Sequence, residues 1–156
     1  MREQNPEQKL KEMGIELPSP PKPVAAYVPT VRSGNFVFVS GQIALVEGEL
    51  KYQGKVGGEL SLEEGYDAAK ICTINCLSVL KGEIGDLSKI KKIVKMTGFV
   101  SSAPNFNKQP QVVNGGSELL GKVLGEKGEH TRAAVGVSEL PLNSPVEVEM
   151  IVEVED

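Results

Sequence analysis

Val146-Glu147-Val148-Glu149-Met150-Ile151-Val152-Glu153-Val154 alternates apolar and acidic residues almost without a break. Successive side chains of a β-strand point to opposite faces, so Val146, Val148, Met150, Val152 and Val154 share one face. Glu147, Glu149, Glu153 and the following Glu155 take the other, and Ile151 is the only apolar intruder there. The valine face is a core face, so the stretch predicts a strand of a sheet with one side buried, and the rest of the chain must supply the cover.

Upstream, residues 131–137 read as another strand, joined to the first by Glu139-Leu140-Pro141-Leu142-Asn143-Ser144-Pro145. Residues 90–100, rich in β-branched side chains, make a third strand. Ser61-Leu62-Glu63-Glu64 is a capping box, in which serine hydroxyl and glutamate carboxylate satisfy reciprocal backbone donors at a helix start. Behind it Ala69, Cys72, Cys76 and Val79 recur at three and four residues as one apolar stripe that ends near residues 82–85. A loop at 101–107 precedes a second helix over about 109–125. Nearer the start, Phe36 to Val39 is a short buried strand closing at Ser40-Gly41-Gln42, and Glu47-Gly48-Glu49 turns the chain between residues 43–46 and 50–52. The order β-β-α-β-α-β-β predicts an α+β fold, a mixed or antiparallel sheet with two helices packed on one face. Before it, Glu7, Leu10 and Met13 mark a short amphipathic helix stopping at Gly14, and the proline-rich run from Pro18 to Pro23 a stiff extended connector. The chain divides into an N-terminal helix and arm, residues 1–23, expected to be an appendage, and a single domain, residues 24–156.

Length and composition bound the chemistry. A chain of 156 residues fits one core, and its 40% hydrophobic and 24% charged residues are globular values. No apolar run approaches the roughly 18 residues that would span a membrane, and residues 1–11 hold no apolar run of a secretory signal, so a cytoplasmic location is expected. Cys72 and Cys76, four apart on a helix, share a face without being able to bridge, and read as core residues. With one histidine, His130, and no Cys-x-x-Cys, no metal is expected. Net charge is −4, tryptophan is absent and aromatics are 4%, which disfavours a nucleic-acid partner. No phosphate-loop, dinucleotide or nucleophile-elbow motif occurs; Gly57-Gly58 resembles a phosphate cradle only loosely and reads better as a turn.

Four features have more than one reading. Glu147 lies on a solvated strand face, or else lines an intersubunit cleft, where burial and a neighbouring carboxylate raise its pKa toward general-base range. Arg132 is a surface arginine paired to a glutamate, or a guanidinium among the small neighbours Ala134, Gly136 and Ser138 with room for a planar carboxylate. Asn114-Gly115-Gly116 sets two glycines inside a helix at about 1 kcal/mol each, which implies close approach of a ligand or subunit, or a helix that begins later. Lys89, Lys91, Lys92 and Lys95 form a protective strand edge, or a basic stripe built on shared strand parity.

Tyr27-Val28, Gly34-Asn35, Ser40-Gly41-Gln42-Ile43, Ile93-Val94-Lys95, Thr97, Phe99-Val100, Val113-Asn114, Arg132, Leu140-Pro141 and Val146-Glu147-Val148-Glu149 together resemble the YjgF/RidA family of reactive-intermediate imine and enamine deaminases, over about residues 27–152. The resemblance implies a chorismate-mutase-like fold, a homotrimer and a small pocket at each subunit interface. It puts Arg132 where the family's arginine grips the substrate carboxylate and Glu147 where a glutamate activates water. Tyr27, Ser40, Gly41 and Asn114 fall at substrate-binding positions. The implied reaction is cofactor-free hydrolysis of a 2-imino acid, such as the tautomer of 2-aminoacrylate, to a 2-keto acid and ammonia. Alternatives are a non-catalytic trimer binding small carboxylates or a protein, and, less favoured, an endoribonuclease. The chain departs from the pattern in having Ala134 where many active members have cysteine, a longer arm before Tyr27, and extra residues between Phe106 and Asn114, which marks a longer branch.

Overall fold

The computed structural model describes residues 5–20 and 26–156. Strands β1 (Thr30–Ser33), β2 (Phe36–Ile43), β5 (Ile90–Ser101), β6 (Thr131–Val137) and β7 (Val146–Val154) form one sheet in the order β1-β2-β7-β5-β6. Only β5 and β6 are parallel, so the sheet is mixed. Strands β3 (Leu45–Val46) and β4 (Glu49–Leu50) form a small separate hairpin around the expected Glu47-Gly48 turn. The alternating stretch is the central strand. Val152 sits between Val37 and Ile93, and Met150 between Val39 and Met96, so apolar rows run across three strands and are buried.

Helices α2 (Leu62–Ile84) and α3 (Gln109–Leu124) cover that face, as the pattern predicts. The Ser61–Glu64 capping box is formed in both directions. Cys72 and Cys76 lie directly over β7, their thiols donating to the carbonyls of Val146 and Val148 at 3.3 Å. Burial pushes both thiols well up, so these cysteines stay protonated core residues.

Four expectations are corrected. The β2 strand does not close at Ser40; it runs on to Ile43 through a register break between Val39 and Gln42. The expected lysine parity fails because β5 carries irregularities between Ile90 and Lys92 and between Ile93 and Lys95, which set Lys92 and Lys95 opposite Glu153 and Ile151 while Lys91 pairs with Glu153. The twin glycines of α3 do not mark a later helix start, and what approaches them closely within the chain is α2. The helix begins at Gln109 as expected, and a side chain at Gly115 would drive into the Tyr66 carbonyl while one at Gly116 would strike the Thr73 hydroxyl. They let α3 seat against α2.

The third helix, α1 (Pro6–Glu12), is not an appendage. Leu10 is 1% exposed within the core, Glu7 pairs with Lys81 of α2, and Ser78 donates to the Pro18 carbonyl. Residues 21–23 of the expected connector, and the expected domain boundary after residue 23, lie outside the described residues. No helix among the described residues is long and apolar enough to cross a membrane.

Candidate functional site

Glu147 stands on the uncovered face of β7, between Ile43 of β2 and Phe99 of β5. Its carboxyl group lies over Gly41, where an added Cβ would come to 2.9 Å from the carboxyl carbon. A side chain at Gly41 would therefore displace the Glu147 carboxyl from its present place. The irregularity in β2 that holds Ser40 and Gly41 is tied to the preceding segment, since the Ser40 amide donates to Pro29 O at 2.9 Å and its hydroxyl to Val28 O at 2.7 Å. Tyr27 adjoins this segment with its side chain 64% exposed. Burial first, and the neighbouring Glu149 second, raise the Glu147 carboxyl above the usual carboxylate range. Glu149 opens onto a depression of about 280 Å3 on the same face, shared with Ser40, Lys95 and Thr97.

Arg132 belongs to the other side of the sheet. It pairs with buried Met96 in the register of β6 against β5 and reaches toward α3. Its Nη1 donates to Asn114 Oδ1 at 2.7 Å and to Ser117 Oγ at 3.1 Å, and Nη2 lies 3.4 Å from Pro110 O. Among the described residues the expected pairing with a glutamate is not formed; side-chain oxygens of a helix hold the guanidinium instead. Asn114 and Ser117, three apart, share the α3 face turned to β6. Ser117 Oγ lies 2.9 Å from His130 Nε2, and His130 Nδ1 lies 2.6 Å from the Gly128 carbonyl. Ala134, two residues on, packs against the core.

The six expected residues thus fall into two groups. Tyr27, Ser40, Gly41 and Glu147 gather along β2 and β7; Asn114 and Arg132 gather between α3 and β6. No charge on Arg132 offsets the rise at Glu147, whose only causes are burial and Glu149. Ser117 and His130 escape sequence reasoning. The available signals were that Ser117 sits one helical turn from Asn114 and His130 shares strand parity with Arg132, but only the packing of α3 on β6 joins them. The Gly57-Gly58 turn is no phosphate cradle, since the amides of both glycines are bound within the turn, to Leu60 O and Lys55 O. Among the described residues no three His, Cys, Asp or Glu side chains gather as a metal site needs.

A sequence model of the family described as "YjgF/chorismate mutase-like, putative endoribonuclease" matches residues 7–154. The chain is 40% identical over 145 residues to Protein TCP17 of Trypanosoma cruzi, covering 92% of this chain and 91% of that protein. It is 30% identical over 141 residues to the 2-iminobutanoate/2-iminopropanoate deaminase of Dermatophagoides farinae, covering 90% and 95%. Of solved structures, the Agrobacterium tumefaciens protein Atu1372 superposes with a TM-score of 0.90 at 43% identity, over 96% of this chain and 92% of that one.

Proposed function

Because this chain belongs to the YjgF/chorismate-mutase-like family, we propose that it hydrolyses 2-imino acids and their 2-enamino tautomers, 2-aminoacrylate among them, to 2-keto acids and ammonia. The observation that carries this reading is Glu147: a half-buried carboxyl with a raised proton affinity, over a glycine that leaves room beside it. In the reaction Arg132 holds the substrate carboxylate and so fixes the imine carbon. Glu147 takes a proton from water as its oxygen bonds to that carbon, and the imine nitrogen gains a proton. The carbinolamine nitrogen then takes the proton held by Glu147, the C–N bond breaks as the hydroxyl loses its proton to solvent and its oxygen forms the keto C=O, and ammonia leaves. The reaction is redox-neutral and calls for no cofactor. Orientation by the arginine and general-base help of about 10²–10⁴-fold are the contributions required of the protein.

Arg132 and Glu147 occupy different faces of the sheet in one chain, so we assign the complete pocket to an interface in a homotrimer, with Tyr27, Ser40, Gly41 and Asn114 lining it. Exposed Phe36 and Phe38 on the uncovered face support such packing. The net charge of −4 favours the deaminase over a ribonuclease. The test is ammonia and 2-keto acid release from enzymatically generated 2-aminoacrylate. Acceleration over the protein-free control is expected; an unchanged rate refutes the reading.

A further inference from the structure

A guanidinium carries five N–H donors in a fixed plane, and the partners of Arg132 divide them unequally. Both protons of Nη1 are committed, one to Asn114 Oδ1 at 2.7 Å and one to Ser117 Oγ at 3.1 Å. Nη2 has a single contact at 3.4 Å, beyond ordinary N–H···O distances, and Nε has no hydrogen-bond partner among the described residues. The edge left over is the one formed by Nε–H and the adjacent Nη2–H. These two donors are parallel and match a carboxylate as two prongs.

What fixes Nη1 is itself fixed. The Gly128 carbonyl can only accept, so its 2.6 Å contact assigns a proton to His130 Nδ1. In the neutral ring Nε2 then accepts, and the Ser117 hydroxyl donates to it at 2.9 Å in preference to the Met96 sulfur at 3.8 Å. That leaves Ser117 Oγ with its lone pairs turned to Arg132. The bonds run in one sense, Arg132 to Ser117 to His130 to Gly128. Gly128 in turn is seated on α3, where a side chain would strike the Leu120 carbonyl. The relay thus passes through Ser117 of α3 and ends at Gly128, which packs on the same helix, with the arginine held at the other end.

We propose that Ser117 and His130 are positioning residues for Arg132: by occupying Nη1 through a one-way relay anchored at Gly128, they turn the Nε/Nη2 edge outward as the carboxylate-binding fork. This deepens the proposed function and rests on it only for the identity of the carboxylate. The acceptor on Ser117 is what matters, so Ser117→Thr, which keeps the hydroxyl, should behave like the parent and Ser117→Ala should not.

Two measurements test this on the full chain. The first needs no substrate: nitrogen-15 spectra of the Arg132 side chain should show separate Nη1 and Nη2 signals in the parent and in Ser117→Thr, merged by free rotation in Ser117→Ala and His130→Ala. The second is calorimetric binding of 2-oxobutanoate, expected to weaken about tenfold in Ser117→Ala, one charge-assisted hydrogen bond's worth. In an Arg132→Lys background Ser117→Ala should weaken binding no further, since the relay acts only through the guanidinium, whereas a general structural effect would add. Separate signals persisting in Ser117→Ala, or an additive loss in the double variant, overturn the proposal. If the parent fails to bind 2-oxobutanoate while its locked signals collapse in Ser117→Ala, the positioning stands and the deaminase reading falls.

Discussion

Glu147 carries two separable expectations. As a general base it contributes to the chemical step, so Glu147→Gln, which keeps shape and hydrogen bonding, should lower kcat by about 10²–10⁴-fold with little change in KM. Glu149→Gln is the control: it shares the face and supplies only the lesser part of the rise at Glu147, so its effect on kcat should be much smaller. If both variants keep the parent rate while 2-keto acid still binds through Arg132, the chain is a carboxylate-binding module instead. The second expectation concerns stability. Burial and Glu149 raise the folded-state pKa of Glu147, so the folded chain binds that proton more tightly than the unfolded one. Stability from this group is full below the ordinary carboxylate value, about 4.3, and is lost as pH rises through the raised value. Glu147→Gln should therefore unfold at a higher temperature than the parent at pH 7, by the equivalent of about 1 kcal/mol or less given its partial exposure, and the gap should close in acid. Thermal melts at pH 7 and pH 3.5 read this, and a gap that widens in acid contradicts the assigned cause. Arg132 and Glu147 were legible as motif residues, and alternation put Glu147 on its correct face. What alternation could not give was Ser117 and His130, because their meeting depends on where a helix crosses a strand.

At the scale of elements, α3 offers a paired test of why glycine stands in a helix. Helix propensity alone says any interior Gly→Ala is favourable by about 0.5–1 kcal/mol. At Gly121 nothing lies within 4 Å of the new Cβ, so Gly121→Ala should stabilise by that amount. At Gly115 the Cβ would enter the Tyr66 carbonyl of α2, so Gly115→Ala should destabilise by about 1–3 kcal/mol as the helices are forced apart. Urea unfolding of the two variants should shift in opposite directions; the same sign for both would dismiss the close helix crossing. The elements read well where one signal dominated, as in the period-two pattern of β7 and the capping box of α2. They read less well where tertiary contact decides. The break between Val39 and Gln42 makes room for Glu147, and α1 buries Leu10 against segments more than sixty residues away. The sequence shows an apolar helix face and a strand interruption there, but not what each packs against.

For the whole molecule, the division of the site between two faces yields a prediction sharper than a mass measurement. Val31, Phe38, Ile151 and Lys95 form one row across four strands of the uncovered face, and Phe38 and Val31 are exposed large apolar side chains. Such a face invites closed packing of like copies, and three chains of 16.7 kDa should scatter light as a particle of roughly 50 kDa. If each pocket takes its arginine from one chain and its glutamate from the next, two inactive variants can repair each other. Arg132→Lys and Glu147→Gln are each expected to lose most turnover, Arg132→Lys because lysine keeps the charge but not the two-pronged geometry. When the two are unfolded together in equal amounts and refolded, chains assort at random around the threefold axis. A pocket then receives an intact arginine with a chance of one half and an intact glutamate with a chance of one half, so about a quarter of the parent activity should return. If both groups came from the same chain, every pocket would carry one lesion and none would return. Recovery near a quarter, with neither variant active when refolded alone, places the pocket between chains. A mixture no more active than its components would mean that no pocket draws Arg132 and Glu147 from different chains, and a monomer in light scattering would remove the interface altogether.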